Sequence, residues 1–213
     1  MIESVGVGLE LMMENAGRTL ADLAIGRFEP TTVTVLAGVG GNGGGGIAAA
    51  RHLSNRGVLV TLVLAGEPEP GGVVAAQAGA ARACGVTEAG APPRADLVID
   101  ALVGYGLSGP LRGRVAELVA WASTQGVPVL ALDAPTGLDA TTGVAEPGTV
   151  RAAATLTLAL PKTGLVGSPE VGELYLADIS VPVRIYAEIG LKTPRLFDEG
   201  QLVRLLRPGE VQR

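Results

Sequence analysis

Cysteine, histidine and aromatic side chains are scarce in this sequence. The single cysteine, Cys84, excludes an internal disulfide, and the single histidine, His52, excludes a metal site built from several histidines. Aromatic residues make up 3% of the 213 residues, whereas 47% are hydrophobic, so small aliphatic side chains must fill the core. Such a core favours closely packed helices on a parallel sheet rich in valine and leucine.

Basic clusters and long apolar runs are also missing. The net charge is −5 and the arginines are scattered, which argues against binding to the phosphate backbone of a nucleic acid. No apolar run reaches the roughly 18 residues of a membrane span, and the first residues lack the order of a signal peptide. We therefore expect a cytoplasmic protein that binds neither nucleic acid nor membranes, and the lone cysteine is compatible with a reducing compartment.

Apolar periodicity and turn residues predict helices and strands that alternate through the first two-thirds of the chain. Helices are expected at residues 1–28, 47–56, 73–84, 114–124 and 198–206, and strands at residues 33–37, 58–64, 97–100, 127–132, 154–160 and 173–177. The alternation predicts an α/β fold with right-handed crossovers, a mostly parallel central sheet and helices on both of its faces. The length favours one domain, residues 1–192, followed by a tail or linker, residues 193–213.

Residues 38–46, between the first strand and the next helix, are almost all glycine. Glycine permits positive φ and lets backbone N–H groups approach a ligand closely, and the start of a helix attracts phosphate. We therefore predict a loop that holds a nucleotide-like molecule, the alternative being a flexible loop without a ligand. A dinucleotide fingerprint fits this run only weakly, and the acid that a dehydrogenase carries after its second strand is missing at residues 64–66.

Two strands are predicted to end on an acid, Asp100 and Asp133, at the edge where open α/β sheets bind ligands. A buried acid is costly without a partner, so Asp100 is expected to bind a cation, a ligand hydroxyl or loop N–H groups. The hydroxyl of Thr136, with neighbouring carbonyls, offers hard oxygen ligands for an alkali cation. Two acids held together resist joint ionisation, which makes one of them a candidate proton donor near neutral pH. The alternative is that both acids only cap the turns that follow them.

Four segments, in this order, resemble motifs of the YjeF N-terminal domain family, the NAD(P)H-hydrate epimerases. They are residues 11–18 (Leu-Met-Met-Glu-Asn-Ala-Gly-Arg), 100–110 (Asp-Ala-Leu-Val-Gly-Tyr-Gly-Leu-Ser-Gly-Pro), 129–139 (Val-Leu-Ala-Leu-Asp-Ala-Pro-Thr-Gly-Leu-Asp) and 160–165 (Leu-Pro-Lys-Thr-Gly-Leu). The resemblance implies a Rossmann-like three-layer α/β/α fold that is often dimeric. It also implies interconversion of the R and S epimers of hydrated NADH or NADPH at C6 of the nicotinamide ring. This reaction repairs a damaged cofactor for a partner dehydratase, and residues 196–208 resemble the segment that leads to such a domain in bifunctional members.

The resemblance also assigns site residues. It implies a potassium ion bound by Asn42, Asp100 and Thr136, and it makes Asp133 and Asp100 the catalytic candidates. Asp133 is expected to protonate the leaving hydroxyl and later to take a proton from the returning water. The implied substrate contacts are Gly41, Asn42, Gly43, Gly44, Gly45, Gly104, Tyr105, Gly106, Leu107, Ser108, Gly109, Pro110 and Asp133.

Two glycines depart from the family pattern, because Gly41 replaces its usual Asn and Gly45 its usual Asp. They favour an alternative function, a non-catalytic domain of the same fold that binds a nucleotide derivative or serves as a scaffold. A third hypothesis is an ordinary nicotinamide-dependent oxidoreductase, but the sequence has no Tyr-x-x-x-Lys pattern and no acid after the second strand.

Overall fold

The computed structural model describes residues 6–106, 109–188, 190–191, 195–198 and 200–206. Within them, helices and strands alternate as the sequence predicts. The helices are α1 (Leu9–Phe28), α2 (Gly41–Ser54), α3 (Val73–Ala83), α4 (Gly113–Ser123) and α5 (Val183–Glu188), with a 3-10 turn at Thr163–Leu165. The strands are β1 (Thr32–Ala37), β2 (Leu59–Leu64), β3 (Thr87–Glu88), β4 (Leu97–Ala101), β5 (Val129–Leu132), β6 (Ala154–Leu158), β7 (Glu173–Ala177) and β8 (Leu202–Leu205). None of the helices in the described ranges is both long and apolar enough to cross a membrane.

The strands form one sheet in the order β3-β2-β1-β4-β5-β6-β7-β8. All neighbouring pairs are parallel except the last, in which β8 runs antiparallel to β7. After β1 the chain builds outward through β2 and β3, and β4 then returns to the other side of β1. The strand order therefore reverses between β1 and β4, which is where sheets of this type bind ligands at their carboxyl edge.

Helices cover both faces of the sheet, so the molecule has the three layers that the sequence predicts. Along β1, Val33 and Val35 belong to a core shared with α1, α2 and α3, whereas Leu36 points to a second core. That second core includes Leu118 and Val119 of α4. Alternate residues of a strand face opposite sides, so a central strand buried on both faces must be apolar throughout.

The structure corrects the prediction that residues 38–46 form a loop before a helix at residue 47. Helix α2 already begins at Gly41, and none of the glycines in this segment has a positive φ. Close packing explains the glycines at positions 38 and 43–46 instead. A β-carbon on Gly43 would lie 1.8 Å from the carbonyl oxygen of Gly38, and one on Gly46 would lie 2.3 Å from Cβ of Ala101. Tertiary packing thus overrides the poor helix propensity of glycine.

The C-terminal helix predicted at residues 198–206 is wrong. Leu202–Leu205 forms strand β8, whose residues pair with β7 from Ala177↔Leu202 to Leu174↔Leu205. Leu202 and Leu205 of this strand pack against different cores, and that pairing with the sheet is not visible in the local sequence pattern. The short elements β3 and α5 were not predicted either.

Candidate active site

Asp133 follows the last residue of β5 and turns its side chain toward the carboxyl edge of the sheet. Its φ is +67°, a left-handed conformation that is uncommon for a non-glycine residue. The backbone N–H of Asp133 donates to the carbonyl of Leu156 at 2.7 Å, which fixes this turn. Its Oδ2 accepts the N–H of Tyr105 at 2.9 Å, and its Oδ1 accepts a hydrogen bond from the ammonium of Lys162. Both carboxylate oxygens are therefore held in place.

Asp100 lies on the neighbouring strand, β4, and is completely buried. Its Oδ2 accepts the N–H of Thr136 at 2.8 Å, and its Oδ1 accepts the Thr136 hydroxyl at 2.7 Å and the N–H of Leu102 at 3.2 Å. Burial raises the pKa of Asp100 to about 6, although the hydrogen bonds from Thr136 and Leu102 oppose this shift. The groups that donate to this carboxylate in the described part of the chain are neutral, so its negative charge is destabilising in this buried position.

Asn42, in the first turn of α2, carries a buried amide whose Oδ1 and Nδ2 have no hydrogen-bond partner among the residues that the structure describes. Buried polar groups are nearly always satisfied, so an open donor and acceptor mark a place where a ligand binds. Gly104 connects this amide to Asp133. A β-carbon there would lie 2.7 Å from Oδ2 of Asp133 and 3.1 Å from Cγ of Asn42. The missing side chain of Gly104 lets the amide and the carboxylate converge.

A cavity of about 560 Å³ opens over these groups at the carboxyl edge of the sheet. Among the described residues that line it, the polar side chains are Asn42, Tyr105 and Asp133, and the others are apolar or glycine. The apolar wall includes Leu9, Met12, Met13, Ala16, Val39, Leu102, Val115, Leu132, Leu158 and Ile179. Such a cavity, with few converging polar groups, is typical of a small-molecule site.

The structure brings part of the predicted substrate set together. The residues of that set that line the cavity are Gly41, Asn42, Gly45, Gly104, Tyr105, Gly106 and Asp133. Gly43 and Gly44 are buried inside the packing of α2, against Gly38 and Met13, and Gly109 and Pro110 are exposed beyond the cavity. Leu107 and Ser108 lie outside the described residues.

The predicted potassium ligands offer a donor set that suits an alkali cation. Asp100 and Thr136 are hydrogen-bonded to each other, and the Thr136 hydroxyl also lies 3.0 Å from the N–H and 3.1 Å from the carbonyl oxygen of Val103. Asn42, with its open Oδ1, lies beside Gly104, the residue after Val103. One buried carboxylate with neutral oxygens is a hard, singly charged donor set. The residues present therefore fit a potassium ion, and the binding itself stays a prediction.

Two features of the site were not predicted. Lys162 lies in a segment that carried the family resemblance, but nothing in the sequence indicated that its ammonium reaches Asp133, 29 residues earlier. The apolar wall contributed by α1 was also missed. Leu9, Met12 and Met13 were predicted only to lie on the helix at residues 1–28, although they line the cavity.

The fold and the site define a class, that of Rossmann-like α/β domains with a ligand cavity at the point where the strand order reverses. The sequence pattern of one family, described as YjeF-related protein N-terminus, matches residues 9–164. The match covers most of the chain, and the chain therefore belongs to this family.

Curated relatives support the same placement. The NAD(P)H-hydrate epimerase of Dehalogenimonas lykanthroporepellens is 42% identical over 214 residues, which cover 96% of this chain and 86% of that relative. The NAD(P)H-hydrate epimerase of Rhodopirellula baltica is 38% identical over 85% of this chain and 79% of its own length. The bifunctional NAD(P)H-hydrate repair enzyme Nnr of Thermanaerovibrio acidaminovorans is 39% identical over 85% of this chain but only 38% of its own length.

The fold also has a counterpart among solved structures. The crystal structure of yeast ynu0 superposes with a TM-score of 0.81 and covers 94% of this chain and 92% of the yeast chain. At 21% sequence identity, this likeness supports the fold alone.

Proposed function

We propose that this protein is an NAD(P)H-hydrate epimerase, an isomerase that interconverts the R and S epimers of hydrated NADH and NADPH at C6 of the nicotinamide ring. The observation that carries the proposal is the convergence of the Asp133 carboxylate and the open amide of Asn42 at an otherwise apolar cavity. The names of the relatives that match most of the chain support it.

The chemistry of the substrate suits one carboxylate in an apolar cavity. The hydroxyl on C6 leaves as water when it receives a proton, because the lone pair of the adjacent ring nitrogen stabilises the cation that forms. C6 is then planar, and water returns to either face. In its protonated form Asp133 gives its proton to the departing hydroxyl, and the carboxylate that results takes a proton back from the returning water. The apolar wall limits access of bulk water to this cation.

The open amide of Asn42 is suited to hold polar groups beside the reacting ring. Its Nδ2 can donate to the substrate, and its Oδ1 is available to the potassium ion that the family resemblance implies. A bound potassium ion would supply a positive charge beside the Asp100 carboxylate. Asp100 and Thr136 would hold the ion, and both already fix the backbone at Leu102 and Val103. The same bonds set the start of the loop that leads to Gly104 and Tyr105.

The non-catalytic alternative is not favoured. The two glycines that suggested it leave the cavity intact: a β-carbon on Gly41 would lie 3.8 Å from the nearest side-chain atom, Cδ1 of Leu9. One on Gly45 would meet Cδ2 of Leu132 at 2.9 Å, so a larger residue there would press into the wall. Asn42, Asp100 and Asp133 retain the groups that the proposed reaction needs.

The same proposal extends to the location, the oligomeric state and the functional partner of the protein. We infer that the protein works in the cytoplasm as a homodimer, beside a dehydratase that consumes one of the two epimers. The dehydratase is suggested by relatives that are named bifunctional NAD(P)H-hydrate repair enzymes.

One assay tests the proposal. The purified chain is mixed with a single epimer of hydrated NADPH in potassium buffer, and the approach to the equilibrium mixture is followed by chromatography. We expect a rate well above the spontaneous one and a loss of about 10²–10⁴-fold in Asp133→Asn. The matched control is Asp139→Asn, because that carboxylate accepts the N–H groups of Thr141 and Thr142 in a turn outside the cavity. A wild-type rate no faster than the spontaneous one would refute the epimerase function.

A further inference from the structure

Lysine is rare in this chain. Fourteen of the 16 basic residues are arginine, and the two lysines are Lys162 and Lys192. Lys162 follows the end of β6, and only 18% of its side chain is exposed. It does not line the cavity and had no role in the reaction described above. A half-buried lysine in a chain that otherwise uses arginine needs a reason.

The ammonium of Lys162 uses all three of its hydrogens. It donates to Oδ1 of Asp133, to the hydroxyl of Thr157 at 2.9 Å and to the carbonyl of Leu158 at 2.9 Å. The last two acceptors lie on β6, the strand beside β5, so they tie the ammonium to the sheet itself. A lysine ammonium has three donors on one atom, and this arrangement satisfies them completely.

An arginine would not reproduce this contact. Its guanidinium is a wide planar fork, whereas the three acceptors here converge on a single nitrogen. The ammonium also balances charge. Only 13% of the Asp133 side chain is exposed, and a carboxylate so far removed from water is stabilised by a nearby cation. Lys162 supplies that positive charge, although its own side chain does not line the cavity.

We propose that Lys162 is a positioning residue of the active site, which acts through Asp133. Its ammonium, anchored on β6, holds Oδ1 of Asp133, while the N–H of Tyr105 holds Oδ2. The carboxylate is thereby fixed from two sides in the orientation in which it meets the substrate hydroxyl. The part of this role that concerns turnover rests on the proposed epimerase function, whereas the part that concerns the orientation of Asp133 does not.

The orientation can be measured without turnover. The amide hydrogen of Tyr105 is bonded to Asp133, so its exchange with solvent reports where that carboxylate lies. We expect Lys162→Met, which keeps the length of the side chain but removes its charge, to speed exchange at Tyr105 by about tenfold or more. The amide of Val150, which donates to the carbonyl of Thr136 at 2.9 Å, is the internal control and should keep its wild-type exchange rate.

Turnover gives a second readout. In the epimerisation assay, Lys162→Met should lower kcat by about 10²-fold and leave KM nearly unchanged, because the cavity keeps its lining while the proton-transfer group loses its orientation. Lys162→Arg keeps the charge but should recover neither kcat nor the slow exchange at Tyr105. Full recovery of kcat and of slow exchange in Lys162→Arg would show that the positive charge alone suffices. It would overturn the role given to the three hydrogen bonds of the ammonium.

Two further comparisons cover a Lys162→Met protein that does not fold and a wild type that shows no epimerisation. If Lys162→Met does not fold, Thr157→Val removes one acceptor of the ammonium with little change of shape and should produce a smaller increase in Tyr105 exchange and a smaller loss of kcat. Wild-type values of both in a folded Lys162→Met protein would overturn the proposal. If the wild type shows no epimerisation but Lys162→Met still releases the Tyr105 amide, the epimerase function fails while the positioning of Asp133 stands.

Discussion

Several neighbouring groups together fix the conformation of Asp133. A left-handed backbone at a non-glycine residue is costly, by about 1 kcal/mol or more, and persists only where neighbours enforce it. Here the carbonyl of Leu156, the N–H of Tyr105 and the ammonium of Lys162 enforce it together. The consequence is a carboxylate that needs little rearrangement before it reacts.

Asp96 offers a residue-scale test of the electrostatics far from the cavity. It joins the start of β4 to β1, because its Oδ2 accepts the Thr31 hydroxyl at 2.6 Å and the N–H groups of Thr31 and Thr32 at 3.1 and 2.9 Å. The hydrogen bond from the Thr31 hydroxyl, followed by those from Thr32 and the Thr31 backbone, lowers the pKa of Asp96 to about 2. A carboxylate with a lowered pKa stabilises the fold above its ordinary pKa, and this contribution disappears as the pH falls toward 2.

We therefore expect Asp96→Ala to lower the thermal midpoint at neutral pH and the difference from wild type to shrink as the pH falls from about 4 toward 2. Thermal unfolding followed by circular dichroism across this range measures both effects. Glu69→Ala, which removes an exposed acid in the loop after β2, is the control and should change the midpoint little. A difference between Asp96→Ala and wild type that stays constant down to pH 2 would contradict the assignment.

At the scale of elements, the contact between α1 and α2 depends on the absence of side chains. A β-carbon on Gly17 would lie 2.5 Å from Cβ of Ala48 and 2.7 Å from the backbone nitrogen of Ala49. Neither atom is the end of a flexible side chain, so a larger residue must push the two helices apart. This packing also sets the cavity, because α1 supplies part of its apolar wall.

Gly17→Ala should lower the free energy of unfolding by about 1–3 kcal/mol, because it overpacks the contact between the helices. Gly26→Ala is a matched control on the same helix, where the added β-carbon would meet nothing within 4 Å. It should stabilise the protein by up to about 1 kcal/mol, since glycine is a poor helix former. Denaturant unfolding compares the two, and a Gly17→Ala protein as stable as Gly26→Ala would rule out the close packing.

The helices and strands differ in how well they could be predicted from the sequence. The central strands were found within two residues of their bounds, because their apolar runs and the turns between them are local signals. The start of α2 was wrong, since only the approach of Gly38 and Ala101 makes glycine suitable there. Strand β8 was wrong because its conformation is set by pairing with β7.

Some features of the site could likewise be predicted from the sequence, and others could not. Asp100 and Asp133 could be expected at the same edge of the sheet, because parallel neighbouring strands end there. The contact of Lys162 with Asp133 could not, since it depends on the path of the chain after β6. Nor does the sequence indicate the open amide of Asn42, which depends on the absence of a side chain at Gly104.

At the scale of the whole molecule, a bound cation should raise global stability. Potassium that binds the folded chain alone, present at ten times its Kd, would add about 1.4 kcal/mol, which corresponds to a rise of roughly 3–6 °C in Tm for a domain of this size. We expect this rise when potassium replaces a bulky organic cation at equal ionic strength. Asp100→Asn should abolish the rise, because it removes the charged member of the donor set. The same Tm in both salts for the wild type would exclude a tight potassium site.

The antiparallel last strand has a consequence for how such a chain can be extended. Strand β8 starts opposite Ala177, at the carboxyl edge, and ends opposite Leu174, toward the amino edge. The polypeptide therefore leaves the sheet on the side remote from the cavity. In terms of gene fusion, a second catalytic unit can be joined beyond Leu205 without blocking the cavity mouth. The direction of β8 thus keeps the point of attachment of a fused unit and the mouth of the cavity at opposite edges of the sheet.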